Sequence, residues 1–486
     1  MAQEPQSRDA QGEGRPAASS RAVQLVEEAC ASAVAAASTP RSARSLARRE
    51  LARALLDALL FPARLARSAF GAREARAELV ECLSAPAALL EPPPARFPAD
   101  RPLRVLVSCA EVSGETHAQN LVAALRAAAR AQGAPEPRFA GLGGPRLAAA
   151  GVECWHDTVS RAQMGFVSVL RSLPRYLRLL EDVVERADAF QPDVVVGIDS
   201  PALHVPLFSM LCARGRRTVH FVVPQHWAWA GWRARRWARC AGLGLAILPF
   251  EPTWFARRGA RVALVGHPQL DAIAALAAAS DAAPSERDTL VVLCGSRSSV
   301  VARHAAWMAD LALEAARGRA WRVVVAHERA EVADELRRLL ASQLATGRLE
   351  VRSGDLHGLL SRARAALTVS GTITIDLLAR DVPAVVVYRV AGRFEALLAR
   401  ALVHAPHIAG PNLLAASRVV PEHAFAGEPP RAAILADLLR ALEDDGWRME
   451  CARRMAAARE RLGGEGAVAR AAGWVAAIGC RPPTKP

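Results

Sequence analysis

Lysine is nearly absent from this sequence of 486 residues, and the single lysine is Lys485. Arginine supplies the rest of the 62 basic residues, which outnumber the 48 acids and give a net charge of +14. Such one-sided use of arginine, in a chain rich in alanine, indicates a bias in the coding sequence. The net charge is therefore weak evidence for a nucleic-acid partner, and we expect none.

The sequence also lacks pairs of cysteines at the spacing that a metal site requires. The nine cysteines are scattered, and none belongs to a C-x-x-C or Cys/His pattern. No apolar run reaches the roughly 18 residues that a membrane-spanning helix needs. The first residues lack a basic segment followed by an apolar one, so we expect no secretory signal. These absences predict a reduced, cytoplasmic chain without a metal site.

The first hundred residues differ from the rest of the chain. About twenty residues typical of a loose tail come first, and leucines then recur at helical spacing between 42 and 82. We interpret that stretch as one or two amphipathic helices packed on the main body, with a helix on a membrane surface as the alternative. Six prolines between 86 and 102 predict a stiff linker.

From residue 103 onwards, short apolar runs alternate with helical stretches, which is typical of parallel sheets covered by helices. The predicted strands are 103–108, 193–198, 218–223, 244–249, 289–293, 321–326, 365–369 and 383–388. A break at 272–288 divides them. We therefore expect an α/β fold in which a mainly helical extension, 1–100, precedes two tandem doubly wound domains, 101–275 and 286–475. Their facing strand ends would form a cleft.

Several turns at predicted strand ends carry residues that can bind a substrate. Asp199 ends the strand V-V-V-G-I-D, where a carboxylate can act as a general base; a helix N-cap is the alternative. The turns L-C-G-S-R (293–297) and V-S-G-T (369–372) precede helices and can present N–H groups to a diphosphate. Arg297 can neutralise a leaving nucleotide, although ordinary helix capping also explains such turns.

The basic charge is concentrated between Asp199 and Glu251, where seven arginines and four tryptophans occur without an acid. Arg233, Arg236 and Trp237 have the i, i+3, i+4 spacing of one helix face. This face fits a phosphate-bearing amphiphile or anionic lipid headgroups, with a solvated basic face as the alternative.

Eleven segments resemble, in order, those of the lipid-A-disaccharide synthase family, and the resemblance covers roughly 103–475. The segments are E-V-S-G-E-T-H (111–117), G-L-G-G-P-R-L (141–147), M-G-F (164–166), P-D-V-V-V-G-I-D-S-P (192–201), P-Q-H-W-A-W (224–229), L-P-F-E (248–251), V-G-H-P-Q-L-D (265–271), G-S-R (295–297), S-G-T (370–372), V-Y-R (387–389) and G-P-N-L-L (410–414).

The resemblance implies an inverting glycosyltransferase of the two-domain GT-B type. It would join UDP-2,3-diacylglucosamine to 2,3-diacylglucosamine 1-phosphate, release UDP, and need neither cofactor nor metal. Asp199 would be the general base, and Ser113, Gly114, Glu115 and Met164 would shape the acceptor side. The expected nucleotide-binding residues are Gly295, Ser296, Arg297, Ser370, Gly371, Thr372, Asp376 and Asn412. We expect the enzyme at the inner face of the cytoplasmic membrane, and a homodimer remains open.

Some positions depart from the family's usual pattern. His204 stands where Asn is common, Glu115 where Asp is usual, and Asp376 where Glu is usual. Further departures are Ala110 for Gly, Ala202 for Asp, Leu203 for Phe, Ala230 for Arg, Cys294 for Pro and Val300 for Glu. Two alternative functions stay open: another GT-B transferase with a different lipid-linked acceptor, and a non-catalytic relative that binds a nucleotide sugar or a lipid.

Overall fold

The computed structural model describes residues 18–36, 42–86, 88–160, 168–278, 287–390 and 392–482. Most of the predicted N-terminal tail lies outside these ranges. Where the leucine spacing predicts one or two helices, the structure has three, because the chain turns at Leu60, just before Pro62, and again at Gly71. With a preceding helix, the extension comprises α1 (Ala18–Ala36), α2 (Ala43–Leu59), α3 (Phe61–Phe70) and α4 (Ala72–Ser84).

The first α/β domain contains a seven-stranded sheet of order β3-β2-β1-β4-β5-β6-β7, and every described strand pair in it is parallel. Its strands are β1 (Arg104–Ser108), β2 (Arg138–Gly143), β3 (Glu153–Asp157), β4 (Val194–Ile198), β5 (Thr218–Phe221), β6 (Leu243–Ala246) and β7 (Val262–Leu264). Its helices are α5 (Val112–Ala131), α6 (Pro145–Ala149), α7 (Ser168–Phe190), α8 (Pro201–Cys212), α9 (Ala234–Cys240), α10 (Glu251–Ala256) and α11 (Pro268–Ala278), with a 3₁₀ turn at Gly231–Arg233.

The second domain has a six-stranded sheet of order β10-β9-β8-β11-β12-β13, again parallel throughout its described pairs. Its strands are β8 (Thr289–Leu293), β9 (Arg322–His327), β10 (Leu349–Ser353), β11 (Ala363–Val369), β12 (Ala384–Val390) and β13 (Glu422–Ala426). The remaining helices are α12 (Ser298–Ala315), α13 (Ala330–Leu339), α14 (Ala341–Leu344), α15 (Leu356–Ser361), α16 (Ile373–Ala379), α17 (Arg393–Leu402), α18 (Gly410–Ala415), α19 (Arg431–Glu443), α20 (Asp445–Glu460) and α21 (Ala467–Gly479).

The predicted fold class of two parallel-sheet domains after a helical extension is confirmed, and all eight predicted strands are present. The sequence analysis missed β2, β3, β7, β10 and β13. Four of these are the outermost strands of the two sheets, and β2 lies next to one of them. Central parallel strands are buried on both faces and read as continuous apolar runs, whereas strands at the sheet edges need fewer apolar residues.

The proline-rich segment packs on the first domain, so its description as a stiff linker is incomplete. The amide of Leu90 donates to the carbonyl of Leu264 at 3.0 Å, and the Leu90 carbonyl accepts from the Trp474 indole at 3.0 Å. Phe97 is buried, and its amide donates to the Gln132 side chain at 3.1 Å. The segment thus holds the extension and the C-terminal helix to the same domain.

The last helix, α21, belongs to the core of the first domain, although the predicted second domain extended to residue 475. Trp474 and Ile478 are fully buried in the same cluster as the first sheet. The Asp271 carboxylate accepts from the amides of 466, 467 and 468 at 2.7, 3.2 and 2.9 Å, which caps the start of α21. The chain therefore crosses between the domains twice.

The extension contacts both domains. α2 packs on α7 and α8, α3 packs on α17, and α4 packs on α10 and α18. Two bidentate pairs, Glu81–Arg257 and Glu78–Arg258, fix α4 to the first domain. Within the residues described, none of the helices combines the length and apolarity needed to cross a bilayer.

Candidate active site

The candidate site lies between the carboxyl ends of the two sheets. Glu111 follows β1 in the first domain, and Arg297 follows β8 in the second. The Arg297 guanidinium donates to the Glu111 carboxylate at 3.0 Å across the cleft. Most of the Arg297 side chain, 71%, is exposed, so it can exchange this partner for an anionic ligand.

Asp199 lies at the end of β4 in a strained turn. Asp199 has φ 53° and Ser200 has φ 43°, a left-handed conformation that side chains other than glycine rarely adopt. The N-cap position of α8 is occupied by Ser200 and not by Asp199, and the Ser200 side chain makes no capping bond. Strain of this kind persists only where surrounding contacts hold it in place.

Two buried histidines hold the Asp199 carbonyl. His204 Nδ1 lies 2.6 Å from this oxygen and His220 Nε2 lies 2.7 Å from it. A carbonyl only accepts, so each of these nitrogens carries the proton. The other nitrogens then accept: His220 Nδ1 accepts from the Trp237 indole at 2.7 Å, and His204 Nε2 accepts from the Ser108 hydroxyl at 2.9 Å. These bonds link β1, β5 and α9 to the turn that carries Asp199.

Two of the three residues predicted to contact lipid, Trp237 and Arg236, are instead bound within the protein. Trp237 is fully buried and donates to His220. Arg236 forms ion pairs with Glu50 and Asp57 of α2 and is therefore engaged within the protein. Arg233 is exposed, and its guanidinium lies 4.8 Å from the centre of the Trp229 ring. Of the three, Arg233 is exposed, Arg236 is partly exposed but ion-paired, and Trp237 is buried.

The pKa of the Asp199 carboxyl is raised above its ordinary value. Burial is the main cause, because desolvation disfavours the ionised carboxylate, and the negative charge of Glu111 adds to it by repulsion. The backbone amide of Ser200 and the charge of Arg297 act in the opposite direction. A carboxylate with a raised pKa is a better base near neutral pH than an exposed aspartate.

Two turns of the second domain follow the ends of β8 and β11. Gly295 has φ 102°, and a Cβ there would lie 2.7 Å from Val300, so the turn requires glycine. Ser296 and Arg297 are exposed and lead into the eighteen-residue helix α12. After β11, Gly371 and Thr372 are exposed, while the Ser370 hydroxyl donates to the carbonyl of Ile408.

The side chains of Asp376 and Asn412, which the sequence predicts to bind the nucleotide, bond to other parts of the protein in this structure. Both oxygens of Asp376 accept from Gln269 at 3.0 Å, and one accepts from Arg380 at 3.1 Å. Asn412 is fully buried, and its amide bonds the backbone of 419 and 420 at 2.7–2.9 Å. Asp376 thus joins the domains, and Asn412 orders the loop before β13.

The residues predicted to shape the acceptor side differ in how exposed they are. Ser113 is exposed at the start of α5, and Gly114 packs against β4, where a Cβ would lie 3.6 Å from the Ile198 carbonyl. Glu115 is buried, and its carboxylate accepts from the Leu147 amide at 3.0 Å, so it orders the turn before α6 rather than an acceptor. Met164 lies outside the described residues.

Sequence reasoning missed the histidines around the site. His117 is partly buried, and its Nδ1 is shielded from solvent and has no described partner. Burial lowers the pKa of His117 to about 4. The pKa of the neighbouring His267 is lowered to about 3 by burial and by the charge of His117. Histidine spacing along the chain gave no signal, since these residues come from different strands and helices. In the part of the chain that is described, no three metal-ligating side chains meet in a possible ion site.

The family model for lipid-A-disaccharide synthetase matches residues 105–465. The chain belongs to this family. It is a glycosyltransferase that uses a UDP-linked sugar, and it acts in lipid A biosynthesis. The model begins at the second residue of β1, so the whole helical extension lies outside the match.

Curated relatives support the assignment over most of their own length. A lipid-A-disaccharide synthase of Pseudomonas aeruginosa is 35% identical over 354 residues, which are 71% of this chain and 90% of the relative. One from Serratia proteamaculans is 33% identical over 66% of this chain and 85% of the relative. Among solved structures, Staphylococcus aureus MnaA with UDP has a TM-score of 0.51 at 12% identity, over 76% of this chain and 94% of that chain, which shows a shared fold.

Proposed function

We propose that this chain transfers the sugar of UDP-2,3-diacylglucosamine to 2,3-diacylglucosamine 1-phosphate, with inversion at the anomeric carbon and release of UDP. The observation that carries the proposal is that Asp199, partly buried at the end of β4, borders the cleft where Arg297 of the facing domain bonds Glu111 at 3.0 Å. The charges of Glu111 and Arg297 both act on the pKa of Asp199. A base and a cation for the leaving group are thus within electrostatic range of one another across the cleft.

In the proposed step, Asp199 takes the proton from the acceptor's 6-hydroxyl. The oxygen forms a bond to the anomeric carbon of the donor, and the bond from that carbon to the UDP oxygen breaks with its electron pair. Attack from the face opposite the leaving group inverts the anomeric configuration. The transition state has oxocarbenium character, so the negative charge grows on the departing diphosphate.

The second domain supplies groups for that charge. Arg297 is exposed and can pair with a phosphate once it leaves Glu111. The amides of Gly295 and Ser296 precede α12, whose N-terminus favours an anion. The exposed Gly371–Thr372 turn before α16 offers a second set of N–H groups. These interactions strengthen as the diphosphate departs, which lowers the barrier.

Both proposed substrates carry acyl chains, so we place the enzyme at the cytoplasmic face of the inner membrane as a peripheral protein. The donor nucleotide is water-soluble while the acyl chains stay in lipid, and an enzyme at the interface reaches both. A homodimer stays a prediction. We expect no cofactor and no metal in the step.

The test compares wild type with Asp199→Asn. Substrates dispersed in detergent are supplied, UDP release and disaccharide formation are followed, and the anomeric configuration of the product is read by NMR. We expect turnover to fall by roughly 10²-fold or more, because the amide cannot accept the proton. UDP affinity and unfolding temperature should stay unchanged, since the shape of the residue is kept.

Equal turnover in Asp199→Asn would remove this residue from the mechanism. UDP binding without a product from wild type would favour a different acceptor or a non-catalytic relative. A product with retained configuration would contradict direct displacement.

A further inference from the structure

The outer end of α2 and the adjoining α3 expose large apolar side chains. Leu55 is 60% exposed, Leu59 is 77% exposed and Phe70 is 92% exposed. The other exposed apolar residues in this segment are Leu56, Leu60 and Phe61. Monomeric soluble proteins scatter such residues singly, and a cluster in one short segment marks an interaction site.

Contacts join this segment to a further apolar area on the second domain. The Ser68 hydroxyl of α3 donates to the carbonyl of Ala401 at 2.8 Å, which packs α3 along α17. α17 exposes 65% of Leu397. Immediately after α17, Val403 pairs with Trp229 in an antiparallel bridge, and both residues are more than 40% exposed. Exposed apolar residues therefore occur on the extension and on both domains, in elements that these contacts join.

Arginine is the dominant charge in the same segment. Residues 51–73 contain Arg53, Arg64, Arg67 and Arg73 against the single acid Asp57. Arg53 is paired with Glu50, the residue just before this segment, at 2.5 Å. The Asp57 carboxylate is already paired, with Arg64 at 2.7 Å and Arg236 at 3.3 Å. We call Leu55, Leu56, Leu59, Leu60, Phe61 and Phe70, together with the exposed Arg67 and Arg73, the α2–α3 surface. Leucine and phenylalanine mixed with arginine is typical of segments that lie in the headgroup region of a bilayer.

We propose that the α2–α3 surface docks on a bilayer containing anionic lipids. The apolar side chains would enter the acyl boundary, and the arginines would bind the lipid phosphates. A second copy of the chain fits less well, because a two-fold interface would bring each arginine cluster against its own equivalent. The inference rests on the proposed function only in assuming that the acceptor lies in the same bilayer.

The experiment measures co-flotation of the full chain with vesicles of phosphatidylcholine alone or mixed with phosphatidylglycerol. The test variant is Leu55→Ser/Leu59→Ser/Phe70→Ser. The matched control is Leu276→Ser/Leu339→Ser/Met449→Ser, three apolar residues that are 49%, 43% and 70% exposed elsewhere. We expect wild type and control to float with the anionic vesicles, and the test variant to bind about tenfold or more weakly.

A charge variant, Arg67→Glu/Arg73→Glu, should also lose binding. Raising the salt from about 0.1 M to about 1 M should weaken wild-type binding, because the Debye length falls from about 10 Å to about 3 Å. Turnover of all variants on substrates dispersed in detergent should match wild type, which separates docking from the reaction. Lost turnover in detergent by wild type itself would count against the proposed function alone.

Three results would overturn the inference. If wild type does not float with anionic vesicles, the chain has no such docking surface. A test variant that floats like the control would mean that the surface lies elsewhere. If sedimentation velocity shows that wild type is a dimer and the test variant a monomer, and neither binds vesicles, the surface serves self-association.

Discussion

Replacing His204 with phenylalanine tests whether the buried network positions Asp199. Phenylalanine keeps the ring that stacks on Phe208 at 5.8 Å, but it loses both hydrogen bonds of the imidazole. The Asp199 carbonyl would keep only its bond from His220, and the Ser108 hydroxyl would be left buried without a partner. The change therefore removes polar contacts with little change in packing.

The magnitude follows from those contacts. Losing the bond to the Asp199 carbonyl costs about 1 kcal/mol, and leaving the buried Ser108 hydroxyl without its partner costs about 1–3 kcal/mol. The free energy of unfolding should therefore fall by about 2–4 kcal/mol. The left-handed turn at Asp199 and Ser200 stores strain of about 1–3 kcal/mol per residue, which favours relaxation once a restraint is lost. A displacement of about 1 Å at a reacting group can cost about 10²-fold in rate.

The assay combines urea unfolding with steady-state UDP release at a temperature where every variant is folded. We expect His204→Phe to lower kcat while the KM for the UDP-sugar stays near wild type, because the nucleotide side is untouched. His204→Asn keeps a donor for the Asp199 carbonyl and should keep most of kcat. His423→Phe, which removes a 2.8 Å pair with Asp437 at the far edge of the second sheet, controls for general destabilisation. An unchanged kcat in His204→Phe would refute the positioning role.

Two further predictions follow from raised carboxyl pKa values. Glu111→Gln removes a charge that raises the pKa of Asp199, so the acidic limb of the kcat/KM profile should move to lower pH; a limb that moves up or stays would contradict the assignment of the base. Burial raises the pKa of Glu251 from 4.5 to about 7, so the folded chain binds more protons than the unfolded chain in that range. Its contribution to stability should fall by about 3 kcal/mol as the pH rises from about 4.5 to about 7, and urea unfolding of Glu251→Gln should lack that part of the slope.

The sequence predicted the central strands and the turns after them because those features are local. Val194–Ile198 is continuously apolar, so both the strand and the exit point of Asp199 follow from pattern alone. The partners of Asp376 and Asn412 could not be predicted, because Gln269 and the backbone at 419–420 reach them only through the folded chain. A carboxylate and an amide at these positions suggested nucleotide binding, but the fold determines which groups their polar atoms bond.

In the basic segment between Asp199 and Glu251, the sequence likewise predicted a helix but not the contacts of its side chains. Its spacing indicated a helix face, and α9 does form, but spacing cannot tell which face meets a sheet and which meets solvent. Trp237 lies on the buried side, where its indole donates to His220 and fixes the tautomer of that histidine. Arg236 is held by carboxylates of α2, a helix from the extension that the family match does not include.

The departure at position 204 is therefore compatible with a working site. Asparagine, the residue that the sequence resemblance leads us to expect at this position, carries its donor nitrogen two bonds beyond Cβ, and histidine carries Nδ1 at the same distance. Either side chain can thus donate to the Asp199 carbonyl. Histidine adds Nε2, which reaches the Ser108 hydroxyl of the neighbouring strand at 2.9 Å. In this chain the turn that carries the proposed base is consequently fastened to β1 as well as to β5, and the substitution adds a restraint instead of removing one.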